Sequence, residues 1–404
     1  MVSAGGNRLE SIVKRNLRDL DYVLIGVMLC ISIFSCIAIY TSTYGKANPA
    51  TGNALLGIPP HILYRQIVWE VLSYGAMFLM MVVDYKSLAK WKWWFYGLTM
   101  LMLLAVFGFH TVNGAHSWIP LPGLSFQPSE LAKVAVIIWT ADYMAKMNER
   151  EVPDYSFKAL LPIFVVFAVP FALILKEPAL GQALVLLAIL YTMLLVYVKR
   201  KHLQVILIGT VAFLLVVFLA VGVFPNQTIR VLDHQHILKP YQTQRLISFI
   251  DPGYQPLKSG YQVLEAEIAV GSGGVYGTGL LRGSQTAGSW VPFQWTDFIF
   301  SAIAEQLGFL GSSVLIMLFL IMLYRMIKIA TSALDDFASY AIAGSVGMFA
   351  FQIFENIGMN LVISPATGIT LPFVSYGGSS LIVNFISIGI VLSVSIRRRT
   401  LRFD

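Results

Sequence analysis

The sequence predicts an all-α polytopic membrane protein with about ten transmembrane helices and a long loop between the seventh and the eighth. Three observations predict it. Of 404 residues, 57% are hydrophobic and only 12% charged, and the mean hydropathy is +0.73; a soluble core of that size would leave too much apolar surface in water. The apolar residues fall in runs near the roughly 20 residues that a helix needs to cross a bilayer. The basic residues, which set the net charge of +7, cluster in short segments between those runs. That is the pattern of membrane topology rather than of a nucleic-acid surface.

Taken in order, the expected spans are 21–41, 66–84, 93–110, 128–146, 159–176, 180–198, 203–223, 297–325, 338–361 and 375–396. The first follows Arg8, Lys14, Arg15 and Arg18, as in a signal peptide. Its apolar run is too long for one, and no Ala-x-Ala-like cleavage site follows, so it reads as an uncleaved helix. Cys30 and Cys36 both lie inside it and read as small core residues, with no disulfide framework. Between the fifth and sixth spans, Lys176-Glu177-Pro178 implies a tight turn.

Charge then sets sidedness, because cytoplasmic loops hold the excess of Lys and Arg. The N-terminus, Lys86 to Lys92, Lys146 to Lys158, Lys199-Arg200-Lys201, Arg325 with Lys328, and Arg397-Arg398-Arg399 fall on one side, while 111–127 and 362–374 carry no Lys or Arg. Both termini are therefore expected in the cytoplasm. The chain divides into a cytoplasmic segment 1–20, helices one to seven over 21–223, an extracellular loop 224–296, helices eight to ten over 297–396, and a basic tail 397–404.

The loop is roughly 70 residues long, far beyond an ordinary connection, and loops of that length are commonly functional. It contains Gly271-Ser272-Gly273-Gly274, Gly277, Gly279 and Gly283, which allow tight bends or close approach. The amphipathic stretch from Tyr261 to Val270 reads as a folded element lying on the membrane surface.

Several blocks carry a resemblance that composition does not supply. They are Phe126-Gln127-Pro128-Ser129-Glu130-Leu131-Ala132-Lys133; Gln244-Arg245 to Asp251-Pro252; Gly260-Tyr261-Gln262 with Ala269 to Gly274; Thr296-Asp297-Phe298-Ile299-Phe300 with Ala304-Glu305; and Thr367-Gly368 through Leu371-Pro372-Phe373-Val374 to Ser375-Tyr376-Gly377-Gly378-Ser379-Ser380. In this order they resemble the SEDS (shape, elongation, division, sporulation) family of bacterial cell-wall glycosyltransferases. Thr367-Gly368, Leu371-Pro372-Phe373 and Gly283-Ser284-Gln285-Thr286 look closer to its RodA-type elongation branch than to its FtsW-type division branch. The resemblance implies an enzyme that polymerises lipid II at the outer face of the cytoplasmic membrane, paired with a class B penicillin-binding protein that crosslinks the product, in cell elongation and shape maintenance.

Joining two lipid-linked sugars requires a base for the acceptor hydroxyl proton and positive charge for the departing pyrophosphate. Asp297 stands where the long loop meets the eighth span, and the resemblance matches it to the family's essential aspartate. It is the expected catalytic base, with an ordinary helix N-cap as the other reading. Six residues are expected to bind substrate: Lys133, Glu130, Arg245, Trp118, Glu305 and Ser375. Glu130 and Lys133 are three apart on one helical face and can pair; the resemblance puts them in a central cavity, with a structural ion pair as the alternative. Glu305 is a carboxylate two turns beyond Asp297, read equally as functional or structural. Arg245, by its family match, and Arg282 are the outside cations for a pyrophosphate. Trp118 either stacks on a sugar or belongs to the interfacial aromatic belt. Ser375 opens the last block, where backbone N–H groups face an anion or small residues pack closely.

No His cluster has metal-ligand spacing, and no P-loop, Gly-x-Ser-x-Gly or Cys-x-x-Cys motif occurs. A divalent cation, Mg or Mn, suits pyrophosphate chemistry without being encoded. The chain departs from the family pattern at Ser117, where members commonly carry an arginine, at Ala179, where they carry an aspartate, and at Phe293 and Trp295, where they carry glutamate and histidine. These losses of polar groups fit a specialised relative with a changed substrate or partner, or one with weakened catalysis. Two rival readings stand beside the enzyme: a flippase for a lipid-linked precursor, and a non-catalytic scaffold for the partner synthase.

Overall fold

The computed structural model describes residues 20–44, 61–109, 117–121, 124–149, 156–177, 179–225, 227–228, 231, 240–250, 260–288 and 290–397. The basic N-terminal segment, the Asp251-Pro252 end of one family block and the basic tail beyond Arg397 lie outside the described residues.

Each of the ten predicted spans coincides with a helix. In chain order these are α1 (Tyr22–Thr43), α2 (His61–Val82), α3 (Tyr85–Ala105), α4 (Pro128–Asn148), α5 (Phe157–Lys176), α6 (Leu180–Tyr197) and α7 (Arg200–Phe218). The long loop adds α8 (Pro240–Ile250), α9 (Tyr261–Gly273) and α10 (Ser284–Gly288), and the chain then forms α11 (Ile299–Thr331), α12 (Asp336–Asn360) and α13 (Gly378–Arg397). An antiparallel hairpin, β1 (Ile119–Leu121) with β2 (Leu124–Phe126), precedes α4 and pairs Ile119 with Phe126.

Among the described residues, six helices are long and apolar enough to cross a membrane on their own: α1, α5, α6, α11, α12 and α13. The others fall short for readable reasons. The α4 helix carries Glu130, Lys133, Asp142 and Lys146, and the apolar part of α7 runs only from His202 to Phe218. The α2 and α3 helices diverge by 110° at Val83-Asp84. They pack on different partners, α2 along α13 and α3 against α4, so they are two arms meeting at a corner.

One end of the bundle is tied by ion pairs. Asp21 caps α1 by accepting from the Leu24 N–H at 3.0 Å, and it takes a bidentate pair from Arg325 of α11, Nε at 3.1 Å and Nη2 at 2.5 Å. Asp142 holds Lys92 of α3 and, at 2.8 Å, Lys146. Asp335 caps α12 and accepts from the Tyr85 hydroxyl at 2.8 Å. Arg397 closes α13 by donating to the Val82 carbonyl at 2.7 Å. These groups belong to the predicted positive side, so the alternation of helix directions matches the charge pattern.

The expected folded element of the loop is a helix, α9, which buries Val263, Ala266, Ala269 and Gly273 and packs on α11. The expected continuity of α11 is corrected: it breaks at Gly308, which has φ of 65°. The backbone groups freed by the break must find partners, because hydrocarbon offers none. Residues 274–279 supply them, with the N–H of Thr278 donating to the Glu305 carbonyl at 2.9 Å and that of Gly279 to the Gln306 carbonyl at 3.1 Å. In return the N–H of Phe309 donates to the Gly274 carbonyl at 2.9 Å. The approach is so close that a Cβ on Gly277 would sit 2.1 Å from the Gln306 carbonyl oxygen. Gly277→Ala is therefore expected to destabilise the fold by about 2 kcal/mol or more, read as a fall of several degrees in the unfolding temperature of the detergent-purified protein by tryptophan fluorescence.

Candidate functional site

At the other end of the bundle, the turn Trp295-Thr296-Asp297 is held from three sides by its own backbone. The amide of Asn356 donates to the Asp297 carbonyl at 2.8 Å, and that of Asn360 to the same oxygen at 3.2 Å. Ser375 donates its hydroxyl to the Thr296 carbonyl at 2.7 Å while accepting from the Leu371 N–H at 2.8 Å. The Tyr376 N–H donates to the Trp295 carbonyl at 2.9 Å. Asn360 also accepts from the Ser301 N–H at 3.0 Å, which ties the same amide to the start of α11.

These clamps leave the Asp297 carboxyl free for other work. The N-cap position of α11 is Phe298, whose side chain makes no capping bond, and the Ser301 N–H is taken by Asn360, so Asp297 does not cap the helix. Its carboxyl and the guanidinium of Arg245 lie against the same glycine. A Cβ on Gly368, whose φ is 76°, would be 3.5 Å from Asp297 Oδ2 and 3.3 Å from Arg245 Nη1. Asp297 is half-buried and Arg245, on α8, is exposed. Burial pushes the Asp297 carboxyl up to about 6, with the Arg245 charge opposing the rise. A carboxylate poised near that value, at the edge of the bundle and beside a cation, suits proton abstraction from an alcohol whose leaving partner is anionic.

The other predicted residues are placed as follows. Ser375 is buried and its hydroxyl is engaged in both directions, so it positions the Asp297 turn and does not face an anion. Glu305 is wholly buried, and its oxygens accept from the N–H groups of Gln285 at 2.7 Å and Thr286 at 2.8 Å and from the Thr286 hydroxyl. It is the anchor of α10 rather than a substrate ligand. Glu130 and Lys133 pair at 2.7 Å with 1% and 0% exposure, and Gln182 of α6 donates to the remaining Glu130 oxygen at 2.8 Å. The neighbouring Gly181 packs on the Thr367 carbonyl, next to Gly368. The pair thus forms a sealed layer behind the Asp297 site and reaches no surface. Trp118 is half-buried at the entry to β1, and Arg282 is exposed on the turn before α10.

Sequence reasoning missed Asn356 and Asn360. Two amides at i and i+4 in an otherwise apolar span are expensive in lipid and were a readable signal. It also missed Glu355 of the same helix, buried beside them. Among the described residues no three His, Cys, Asp or Glu side chains gather to hold a metal ion.

The departure at Ser117 has a structural consequence. Its hydroxyl donates to the backbone carbonyl of Glu177 at 3.3 Å, and both Glu177 carboxylate oxygens are buried without a hydrogen-bond partner. A serine hydroxyl brings no positive charge to that carboxyl. Phe293, exposed with φ of 54°, and Trp295, half-buried, line the Asp297 turn with aromatic surface. Ala179 stands at the N-cap of α6 with no side-chain cap.

A bundle of apolar helices that presents a clamped carboxyl beside an exposed guanidinium at one end defines an integral membrane protein with a polar site at that end. The chain belongs to the FtsW/RodA/SpoVE family, whose model, described as "Cell cycle protein", matches residues 21–400. The probable peptidoglycan glycosyltransferase FtsW of Geobacter sp. (strain M18) is 31% identical over 389 residues, covering 95% of this chain and 99% of that protein. Stage V sporulation protein E of Bacillus subtilis (strain 168) is 33% identical, covering 82% and 86%. Among solved structures, a chain of a peptidoglycan synthase complex, reported for structural coordination of polymerization and crosslinking, superposes with TM-score 0.71 at 30% identity, covering 93% and 97%. The rod shape determining protein RodA of Thermus thermophilus superposes with TM-score 0.64 at 26%, covering 94% and 98%. The family holds, while the expected placement in the RodA-type branch is not confirmed: these curated relatives carry FtsW and sporulation names, and RodA stands among the superposed structures.

The orphaned Glu177 carboxyl, in the turn after α5, is pushed by burial from the ordinary 4.5 up to about 8. The folded state then binds a proton that the unfolded chain releases between those values, so this group's contribution falls as pH rises from about 4.5 to about 8. Replacing it by glutamine is expected to flatten that decline, with unfolding temperatures of variant and wild type converging at pH 5 and the variant higher at pH 8.

Proposed function

We infer that the chain is a peptidoglycan glycosyltransferase that polymerises lipid II, with Asp297 as the general base. The observation that carries the reading is the Asp297 carboxyl, freed from capping by backbone clamps and set beside the exposed Arg245. Asp297 takes the proton from the hydroxyl of one lipid-linked sugar. That oxygen forms the new glycosidic bond to the anomeric carbon of the other sugar as its bond to pyrophosphate breaks. The exposed guanidinium of Arg245 offsets the charge on the departing lipid pyrophosphate. Access from the bilayer edge suits a substrate whose tail stays in the membrane.

The basic loops gather at the opposite end of the bundle, which supports cytoplasmic termini and an outward-facing site in the bacterial cytoplasmic membrane. The FtsW and sporulation names of the relatives support a role in division-type wall synthesis rather than elongation. The likeness to a member of a synthase complex supports a class B penicillin-binding protein as partner.

The test is polymerisation of labelled lipid II by the purified protein with its cognate penicillin-binding protein, crosslinking blocked. Asp297→Ala is expected to lower the rate by about 100-fold or more; a folded variant that still builds glycan ladders at the wild-type rate removes Asp297 from the chemistry. The wild-type rate should rise through pH of about 6 as Asp297 loses its proton, then level. Arg245→Ala removes the charge that favours the ionised carboxyl, so its acid limb should move to higher pH, and an unmoved limb would contradict the pairing.

A further inference from the structure

The buried polar groups that this mechanism does not use converge on one carboxylate, Glu70 of α2. It is 6% exposed, and among the described residues no cation pairs with it. Its Oε2 accepts from the Ser32 hydroxyl of α1 at 2.9 Å, and Ser32 is in turn 3.1 Å from the Tyr74 hydroxyl. Its Oε1 accepts from the Gln66 amide at 3.3 Å, and the same amide nitrogen donates to Ser35 Oγ at 3.2 Å. Ser35 spends its own proton on the Val374 carbonyl at 2.8 Å.

That last bond is the informative one. Val374 precedes Ser375, and residues 371–376 are the segment that grips the Asp297 turn through the Ser375 hydroxyl and the Tyr376 N–H. The chain of contacts therefore runs Glu70, Gln66, Ser35, Val374, Ser375, Thr296 and then Asp297. A carboxylate inside a membrane bundle is costly and is retained where its acceptor capacity is needed. Here it orients two donors, Gln66 and Ser32, from opposite sides, and Gln66 fixes the hydroxyl that holds the gripping loop.

We propose that Glu70 is a positioning residue for the Asp297 site, acting through the Gln66–Ser35–Val374 contacts to fix the 371–376 loop. The proposal rests on the reading of Asp297 as general base. It requires the hydrogen-bonding capacity of the side chain rather than its charge. A glutamine at position 70 keeps one acceptor oxygen for the Gln66 amide and sets a donor toward the Ser32 hydroxyl, which can accept it while giving its own proton to the Tyr74 hydroxyl.

The experiment compares Glu70→Gln, Glu70→Leu and Ser35→Ala with wild type in the complex with the penicillin-binding protein. Hydrogen exchange of the peptide containing residues 371–376 is followed alongside kcat, KM and the pH profile of lipid II polymerisation. In Glu70→Leu and Ser35→Ala, exchange of that peptide should accelerate and kcat should fall about tenfold at little-changed KM. Their acid limb should also move as Asp297 shifts relative to Arg245. Glu70→Gln should restore exchange, kcat and limb to within about twofold. The double variant of Glu70→Leu with Ser35→Ala should be no worse than either single, since both cut one chain. Unchanged exchange in a folded Glu70→Leu overturns the proposal, whether or not the protein polymerises. So does a drop in unfolding temperature with kcat and pH profile intact, which is a purely structural role, and so does Glu70→Gln behaving like Glu70→Leu. Wild type without polymerase activity, but with loop exchange responding as expected, instead strikes at the base assignment and leaves the coupling standing.

Discussion

Every interruption of a helix inside a bilayer exposes backbone groups that lipid cannot satisfy, and the way this chain satisfies them shapes its site. The α12 amides Asn356 and Asn360 and the hydroxyl of Ser375 bind carbonyls of the non-helical stretch before α11. The 274–279 segment does the same for the break at Gly308. Irregular backbone is thus held in place by side-chain and backbone partners from distant segments. A rigid turn suits the general base proposed for Asp297, because proton transfer depends on orientation.

The two ends of the bundle use charge differently. At one end Asp21, Asp142 and Asp335 are each matched by Lys, Arg or a hydroxyl, which fastens α1, α3, α4, α11 and α12 to one another. At the other, Glu130 pairs with Lys133, whereas Glu305 is held by backbone N–H groups and a hydroxyl, Glu70 by a hydroxyl and an amide, and Glu177, among the described residues, by no hydrogen bond. Asp297 alone there faces a guanidinium, across Gly368. A cation that is not locked in a short ion pair remains available to an anionic substrate.

Position along the chain made Asp297 and Glu305 look alike, two carboxylates on nearly one helical face. The fold separates them, because the 282–288 segment folds back to give Glu305 three donors, while the clamps on residues 295–297 spend backbone and leave Asp297 its side chain. The same applies to Ser375, whose signature suggested an anion site and whose hydroxyl is consumed by Thr296. For Glu130 and Lys133 the i, i+3 spacing correctly implied a pair. What spacing does not contain is Gln182 closing over it, a contact between residues 52 positions apart.

The positions of the helices and the charges at their ends follow from hydropathy, charge and local motif, because each depends on neighbours within a few turns. The break in α11, the burial of Lys133 and the line from Glu70 to the Asp297 turn depend on which distant backbone atoms arrive opposite a given side chain. Only the tertiary structure decides that. A hydrogen bond is specified by both of its partners, and in this protein the decisive partners, Ser35 with Val374 and Asn356 with Asp297, lie 339 and 59 residues apart.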